Sequence, residues 1–186
     1  MYSLLIDTHD TKVSFVLYKD GLVKDKIILE SKMKHSEIAM PSLDEIISRN
    51  NINIRDIKEL YVVVGPGSFT GVRIGVVIAK TIAYLLNIPI KTITSLDLLV
   101  FSNESVIPGL YNVSEKNGYF IGKYDENGVL IDEIKYISND EFDDLNFVVV
   151  KELNYENIYK HINEKDSVNP HLVNPIYVKQ IEVLKW

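Results

Sequence analysis

The segment Val62-Val63-Val64-Gly65-Pro66-Gly67-Ser68-Phe69-Thr70-Gly71-Val72-Arg73-Ile74-Gly75 narrows the choice of folds more than any other part of the chain. It starts inside a continuous apolar run, Leu60 to Val64, which reads as a strand buried on both faces, the habit of parallel sheets. A glycine-rich turn follows, and Ser68 is placed to cap a long helix from about Phe69 to Leu86, closed by Asn87. Strand, turn and helix N-terminus in this order can hold an anion, because backbone N–H groups and the helix dipole would point at it. The Gly-Lys-Ser/Thr ending of a Walker loop is missing, however, and the spacing is not that of the dinucleotide fingerprint. Two readings stay open: a phosphate site, or a tight turn formed by Gly65 and Gly67 with a serine cap.

The helix carries a second pattern. Gly71, Gly75, Ala79 and Ala83 recur every four residues, and at 3.6 residues per turn each step drifts by only about 40°. They form a slowly winding stripe of small side chains. Each interior glycine costs about 1 kcal/mol relative to alanine, a cost usually offset by close approach of another backbone. Val72, Ile74, Val76, Val77, Ile78, Ile82, Leu85 and Leu86 make the other faces apolar too, so the helix is expected to be covered on more than one side. One side can rest on its own sheet. The other needs a second helix, either the 36–49 segment of the same chain or one from a partner. The expectation carried forward is that the small-residue stripe is left open for a partner's backbone, so that leucine at Gly75 would block pairing and spare the fold.

Around this unit the chain reads as α/β, a mixed sheet with helices on it. Tyr2 to Ile6, Val13 to Tyr18 and Leu22 to Leu29 form a strand meander, with a turn at Asp7 to Asp10 and a hairpin at Asp20-Gly21. Ser36 is a candidate N-cap for a helix carrying Ile38, Ala39, Leu43, Ile46 and Ile47, which Pro41 kinks or starts. Ile90 to Thr94 is a further buried strand, and Ser95 caps a short helix to Phe101. Beyond a boundary near residues 102 to 106, dividing the chain into 1–103 and 104–186, the pattern weakens. Val106 to Val113, Tyr119 to Tyr124, Val129 to Ile137 and Phe147 to Val150 read as strands, with a hairpin at Asp125 to Gly128. Asp140 to Leu145 reads as an acidic helix, and Ile176 to Leu184 as a terminal one.

Several chemistries have no support. The chain has no cysteine, and no two of His9, His35, His161 and His171 have the three- or four-residue spacing of a helical metal site, so no metal is expected. No G-x-S-x-G elbow or serine-histidine-aspartate set is evident. Asp7, at a strand end, is either a turn-stabilising aspartate or a catalytic or magnesium-linked carboxylate. The start of the chain is not a signal peptide, and Ile74 to Leu86, interrupted by Lys80 and Thr81, is too short to span a membrane. A cytoplasmic location is expected. The net charge of −6 argues against unaided gripping of nucleic acid, whose affinity comes mostly from phosphate contacts.

The stretch from Gly65 to Gly75 resembles the signature of the TsaB (YeaZ) family. Ile6-Asp7-Thr8, His35-Ser36-Glu37 with Pro41, Ala79-Lys80, Ile88-Pro89, Thr94-Ser95-Leu96 and Pro175-Ile176-Tyr177-Val178-Lys179 resemble further family motifs, specific over residues 1 to 101 and thin beyond. The resemblance implies an actin-like (ASKHA, ribonuclease H-like) fold with a reduced second lobe. It also implies a non-catalytic dimerisation subunit of the system that makes N6-threonylcarbamoyladenosine at position 37 of tRNA. Its partners would be the paralogous TsaD-type transferase, whose metal-binding histidine pair is missing here, a TsaE-type ATPase through the complex, and tRNA only through the complex. The interface would be the helices at about 36–49 and 69–86, with Gly71, Gly75, Ala79, Ala83, Val72, Val76, Ile38 and Met40, and a homodimer could form through the same face. Gly65, Pro66, Gly67, Ser68, Thr70 and Arg73 would form the turn and helix start, and Asp7 and Thr8 a vestigial nucleotide site. ATP or ADP would sit only at the junction with the partner. Two departures are His9, where the family usually has serine, and Asn112-Val113-Ser114, where it tends to have Asp-Ala-Arg. The alternatives are an actin-fold nucleotide-binding ATPase or kinase acting alone, using Asp7 and the 65–71 turn, and, with neither nucleophile nor metal ligands in sight, a peptidase.

Overall fold

Strands Tyr2–Asp7 (β1), Lys12–Lys19 (β2) and Leu22–Glu30 (β3) form an antiparallel meander, and Ile57–Val63 (β4) and Ile90–Ile93 (β5) add to β1 in parallel, giving the order β3-β2-β1-β4-β5. The computed structural model describes residues 1–31, 34–142 and 145–178. The β2–β3 hairpin turns on Asp20 and Gly21, both at positive φ, as a two-residue turn matched to the strand twist requires. β1 is buried along nearly its whole length, whereas the edge strand β3 exposes Lys24, Lys26 and most of its alternate positions.

Two layers cover the sheet. On one face, His35–Arg49 (α1) and Phe69–Leu86 (α2) join Leu4, Ile6, Phe15 and Val62 in a core through Ala39, Leu43, Ile46, Val72, Val76, Ala79 and Ala83. On the other, Leu5, Val16, Tyr18, Tyr61, Val63 and Ile93 meet Tyr155, Ile158 and Ile162 of Tyr155–Glu164 (α5). α5 is not among the elements expected from the sequence. It is capped by Asn154, whose side chain accepts from Asn157 N–H. Tyr18, Tyr61 and Tyr159 stack edge-on or tilted at its base.

The second sheet is the meander Gly109–Glu115 (β6), Gly118–Tyr124 (β7) and Lys135–Ser138 (β8), closed against Leu96 and Val100 of Ser95–Val100 (α3). Its third strand is shorter than the expected Val129 to Ile137. The Asp125 carboxylate accepts from the N–H groups of Asn127 and Val129, holding a turn, and only the bridge of Tyr124 to Leu130 forms before Asp132 and Glu133 leave the sheet. Phe147 to Val150 is likewise no strand, contributing one bridge from Phe147 to Leu110. The acidic helix is Asn139–Phe142 (α4). Of the expected Ile176 to Leu184 helix, residues 176–178 are irregular and the rest lie outside the described residues.

The chain then returns to its first half. Val168 bridges Ile90, Val173 enters the core under α2, and Ile176 N–H donates to Val64 O at 2.8 Å. Residues 102 to 106 thus separate two sheets, while residues 155–178 pack on the first. Asp97 ties the parts together, accepting from Tyr124 Oη at 2.9 Å and from Lys165 Nζ at 3.0 Å. Arg49 does the same for α1 and β3, donating twice to Asp25 at 2.6 Å. The Arg49 hydrogen bonds draw the Asp25 carboxyl down to about 2, against the opposing effect of burial.

Candidate partner interface

Each helix of the α1–α2 layer is anchored at its start. The N-cap of α1 is Lys34 and makes no side-chain cap bond, so Ser36 is not the cap, and Pro41 lies inside the helix. The work falls to His35, buried, whose Nε2 lies 2.7 Å from Asp10 O and whose Nδ1 lies 3.1 Å from Ser31 Oγ. His35 thereby ties α1 to the turn after β1.

α2 is anchored on that same turn. Ser68 caps it as expected, accepting from Gly71 N–H at 3.2 Å. Gly65 adopts φ +90°, and its carbonyl accepts from Ser95 N–H, while the Pro66 carbonyl accepts from Ser95 Oγ. The Thr8 hydroxyl donates to Gly71 O at 2.7 Å and accepts from Gly75 N–H at 3.1 Å, so it stands between a carbonyl and an amide one helical turn apart. A Cβ at Gly71 would overlap the Thr8 carbonyl oxygen, and one at Gly75 the Thr8 hydroxyl. The close approach announced by the small-residue pattern is therefore made by Thr8, in the turn that follows β1 of the same chain.

This corrects the expected docking surface. Gly71, Gly75, Ala79 and Ala83 face inward, and Val72 and Val76 are core residues. The periodicity reports that a backbone comes near but not which backbone. Two residues further on, about 200° round the helix, lie the side chains that do face solvent: Arg73, Val77, Thr81 and Leu85, with Tyr84 beside the last and Phe69 and Thr70 at the N-terminus. Val77 is 60% exposed and Met40 of α1 55%. Ile38 is half-buried against the core. Between the helices runs a groove of about 380 Å³ lined by Ser36, Ala39, Met40, Ile74, Val77 and Ile78, with Thr70 and Arg73 at one end. Of the surface expected from the sequence only Met40 is exposed, and Phe69, Ile74, Val77 and Ile78 lie outside it. By length and composition α2 would cross a bilayer, but in this fold it is a layer over the sheet.

The turn and helix start do not fit a phosphate. Ser68 N–H donates to His9 O at 2.6 Å, and the Thr8 carbonyl crowds Gly71, so the helix N-terminus meets carbonyl oxygens. In the β1–β2 turn, Asp7 accepts from His9 N–H at 3.1 Å and Asp10 from Lys12 N–H at 2.7 Å. Asp7 Oδ1 also lies 2.6 Å from His9 Nδ1. Burial disfavours the imidazolium, yet the Asp7 charge and hydrogen bond, with Asp10 behind them, outweigh it and raise the His9 pKa. Asp7 and Thr8 are thus committed to internal bonds. A separate cavity of about 470 Å³ opens where Asp7, His9 and Lys12 face Lys151, Glu152 and Tyr155, with carboxylates and ammonium groups mixed along its walls.

Residues 28–170 match the family model described as TsaD: tRNA N6-adenosine threonylcarbamoyltransferase. The tRNA threonylcarbamoyladenosine biosynthesis protein TsaB of Bacillus subtilis is 31% identical over 137 residues, covering 72% of this chain and 59% of that protein. The chain belongs to the TsaD-like family, in its TsaB (YeaZ) branch. The Escherichia coli TsaB protein is 34% identical over 96 residues, 52% of this chain and 41% of that one. The chain thus spans about half the length of these curated TsaB relatives. The solved structure of YeaZ from Pseudomonas aeruginosa superposes with a TM-score of 0.74 at 13% identity, covering 95% of this chain and 99% of that one. The fold is accordingly the mixed α/β fold of the YeaZ structures.

Proposed function

We propose that this chain is a non-catalytic subunit of the machinery that makes N6-threonylcarbamoyladenosine on tRNA, and that it docks through its α1–α2 face onto a TsaD-type subunit. The observation that carries this reading is the apolar groove between the two helices, flanked by the exposed side chains of Met40 and Val77. Groups of this kind, clustered on one face of a soluble layer, gain by being covered. The TsaB names of the relatives supply the pathway, and the family model matches the kind of protein that would be the partner. In the absence of that partner a second copy covers the same face.

The net charge of −6 leaves tRNA to other subunits, and a TsaE-type ATPase reaches this chain only through the assembly. The paired donors of both turns make a phosphate site in this chain alone unfavourable, so ATP or ADP would bind only where a partner adds its own residues. The assembly is cytoplasmic in this reading. The competing reading, a nucleotide-binding enzyme acting alone, draws on the cavity beside Asp7 and His9.

Size-exclusion chromatography with the TsaD-type subunit tests the docking. The wild type is expected to co-elute, and Val77→Arg to elute separately with an unchanged fold. Co-elution of the variant would contradict the reading. Calorimetry with ATP and magnesium on the purified chain is expected to show no tight binding, and tight binding would favour the stand-alone enzyme.

A further inference from the structure

The groove is apolar except at one end, where the Arg73 side chain is held in place. Its guanidinium lies 3.5 Å from the centre of the Phe69 ring, and its Nε donates to Tyr177 Oη at 2.8 Å. Tyr177 stands beside this pair, its ring centre 5.4 Å from the guanidinium and 5.6 Å from the centre of the Phe69 ring. Tyr177 is brought there by the returning chain, which is fixed one residue earlier by the bond from Ile176 N–H to Val64 O. An exposed arginine normally loses about 2 kcal/mol of rotamer freedom when it is held. Here much of that loss is already taken in the free protein.

Only Nε of the five-donor fork has a described acceptor, and among the described residues no carboxylate lies within ion-pair distance of Arg73. The nearby acid of α1, Glu37, pairs with Lys34 at 3.2 Å. A partner helix that seals the groove over Ile74, Val77 and Met40 takes this charge out of water. Covering a guanidinium without supplying acceptors is strongly unfavourable, whereas a planar carboxylate matches the fork with two parallel hydrogen bonds.

We propose that Arg73 is the specificity-determining charge of the docking face, and that it takes a carboxylate side chain set among apolar residues on the helix of the TsaD-type subunit. This rests on the reading of the α1–α2 face as the docking surface. Phe69 and Tyr177 are positioning residues that aim the fork.

Calorimetric titration of the TsaD-type subunit with four variants, at low and at high salt, tests it. Arg73→Met, which keeps an apolar stem, is expected to weaken binding about 30-fold or more and to flatten the salt dependence. Arg73→Lys is expected to recover only part of the affinity, because it lacks the fork. Tyr177→Phe is expected to weaken binding less than Arg73→Met and to keep the salt dependence. Binding by Arg73→Met with wild-type affinity or wild-type salt dependence would overturn the proposal. Val77→Arg separates the two levels: if it abolishes binding while Arg73→Met does not, the arginine inference fails and the docking face stands. If neither variant weakens binding, both fail.

Discussion

Thr8 stands between the Gly71 carbonyl and the Gly75 N–H, and this placement decides what a substitution at either glycine does. Alanine at position 75 gains about 1 kcal/mol of helix propensity, but its Cβ overlaps the Thr8 hydroxyl in a close-packed layer, and overpacking of this kind costs about 1–3 kcal/mol. Gly75→Ala is therefore expected to destabilise the protein by about 1 kcal/mol in urea unfolding. Gly75→Leu is expected to lift α2 from β1, so it is not the selective block to pairing that the small-residue stripe suggested. His9 gives a second residue-scale expectation. Its pKa is raised in the folded chain, so the stability it contributes with Asp7 is full below the unfolded value of about 6.5 and is lost as pH rises through the folded value. The difference in Tm between the wild type and His9→Ser is expected to be larger near about pH 5.5 than near about pH 8.5, and an equal difference at both would contradict it. The Asp25 carboxyl, drawn down to about 2, works in the opposite direction: its contribution is full above about pH 4 and is lost as pH falls toward 2.

At the scale of elements, the strands and helices up to Phe101 are legible in the sequence because each rests on a strong local signal. These signals are the apolar run before Gly65, the Asp20-Gly21 turn, and the cap at Ser68, whereas α3 is capped by Thr94, one residue before the expected Ser95, because the Thr94 hydroxyl and the Asp97 carboxylate form a capping box. The orientation of α2 was not legible, because a helix apolar on nearly every face has no pattern to say which side meets the sheet. β8 is shorter than its alternating pattern suggests for a related reason, since the alternation starts within the turn that Asp125 holds. α5 went unread although Tyr155, Ile158 and Ile162 are spaced three and four residues apart behind an asparagine cap. Polar residues between them dilute the apolar signal, and tyrosine counts for strand as readily as for helix. The structure makes α5 the cover of the sheet's second face. Ile158 is fully buried there, and Ile158→Ala is expected to cost about 2–5 kcal/mol by denaturant titration. A loss below about 0.5 kcal/mol, the scale of a surface change, would mean that α5 is not integral to the fold.

At the scale of the whole molecule, a five-stranded sheet lies between the α1–α2 layer and α5, with the smaller sheet attached through Asp97 and the returning chain laid along α2. One outer face, α1–α2, keeps exposed apolar side chains beside an ordered arginine. Which family this face belongs to was legible from the Gly65 to Gly75 motif. Which side chains it offers was not, because that depends on the rotation of α2 set by Thr8. The central claim is that this face, and no other, meets the TsaD-type subunit. Photo-crosslinking in the mixed assembly tests it most directly, with a photoreactive residue placed at Val77 or, as the control, at Val149, an even more exposed apolar position beside the smaller sheet. The account predicts crosslinks to the TsaD-type subunit from position 77 and none from position 149. Crosslinks from position 149 with none from position 77 would contradict it.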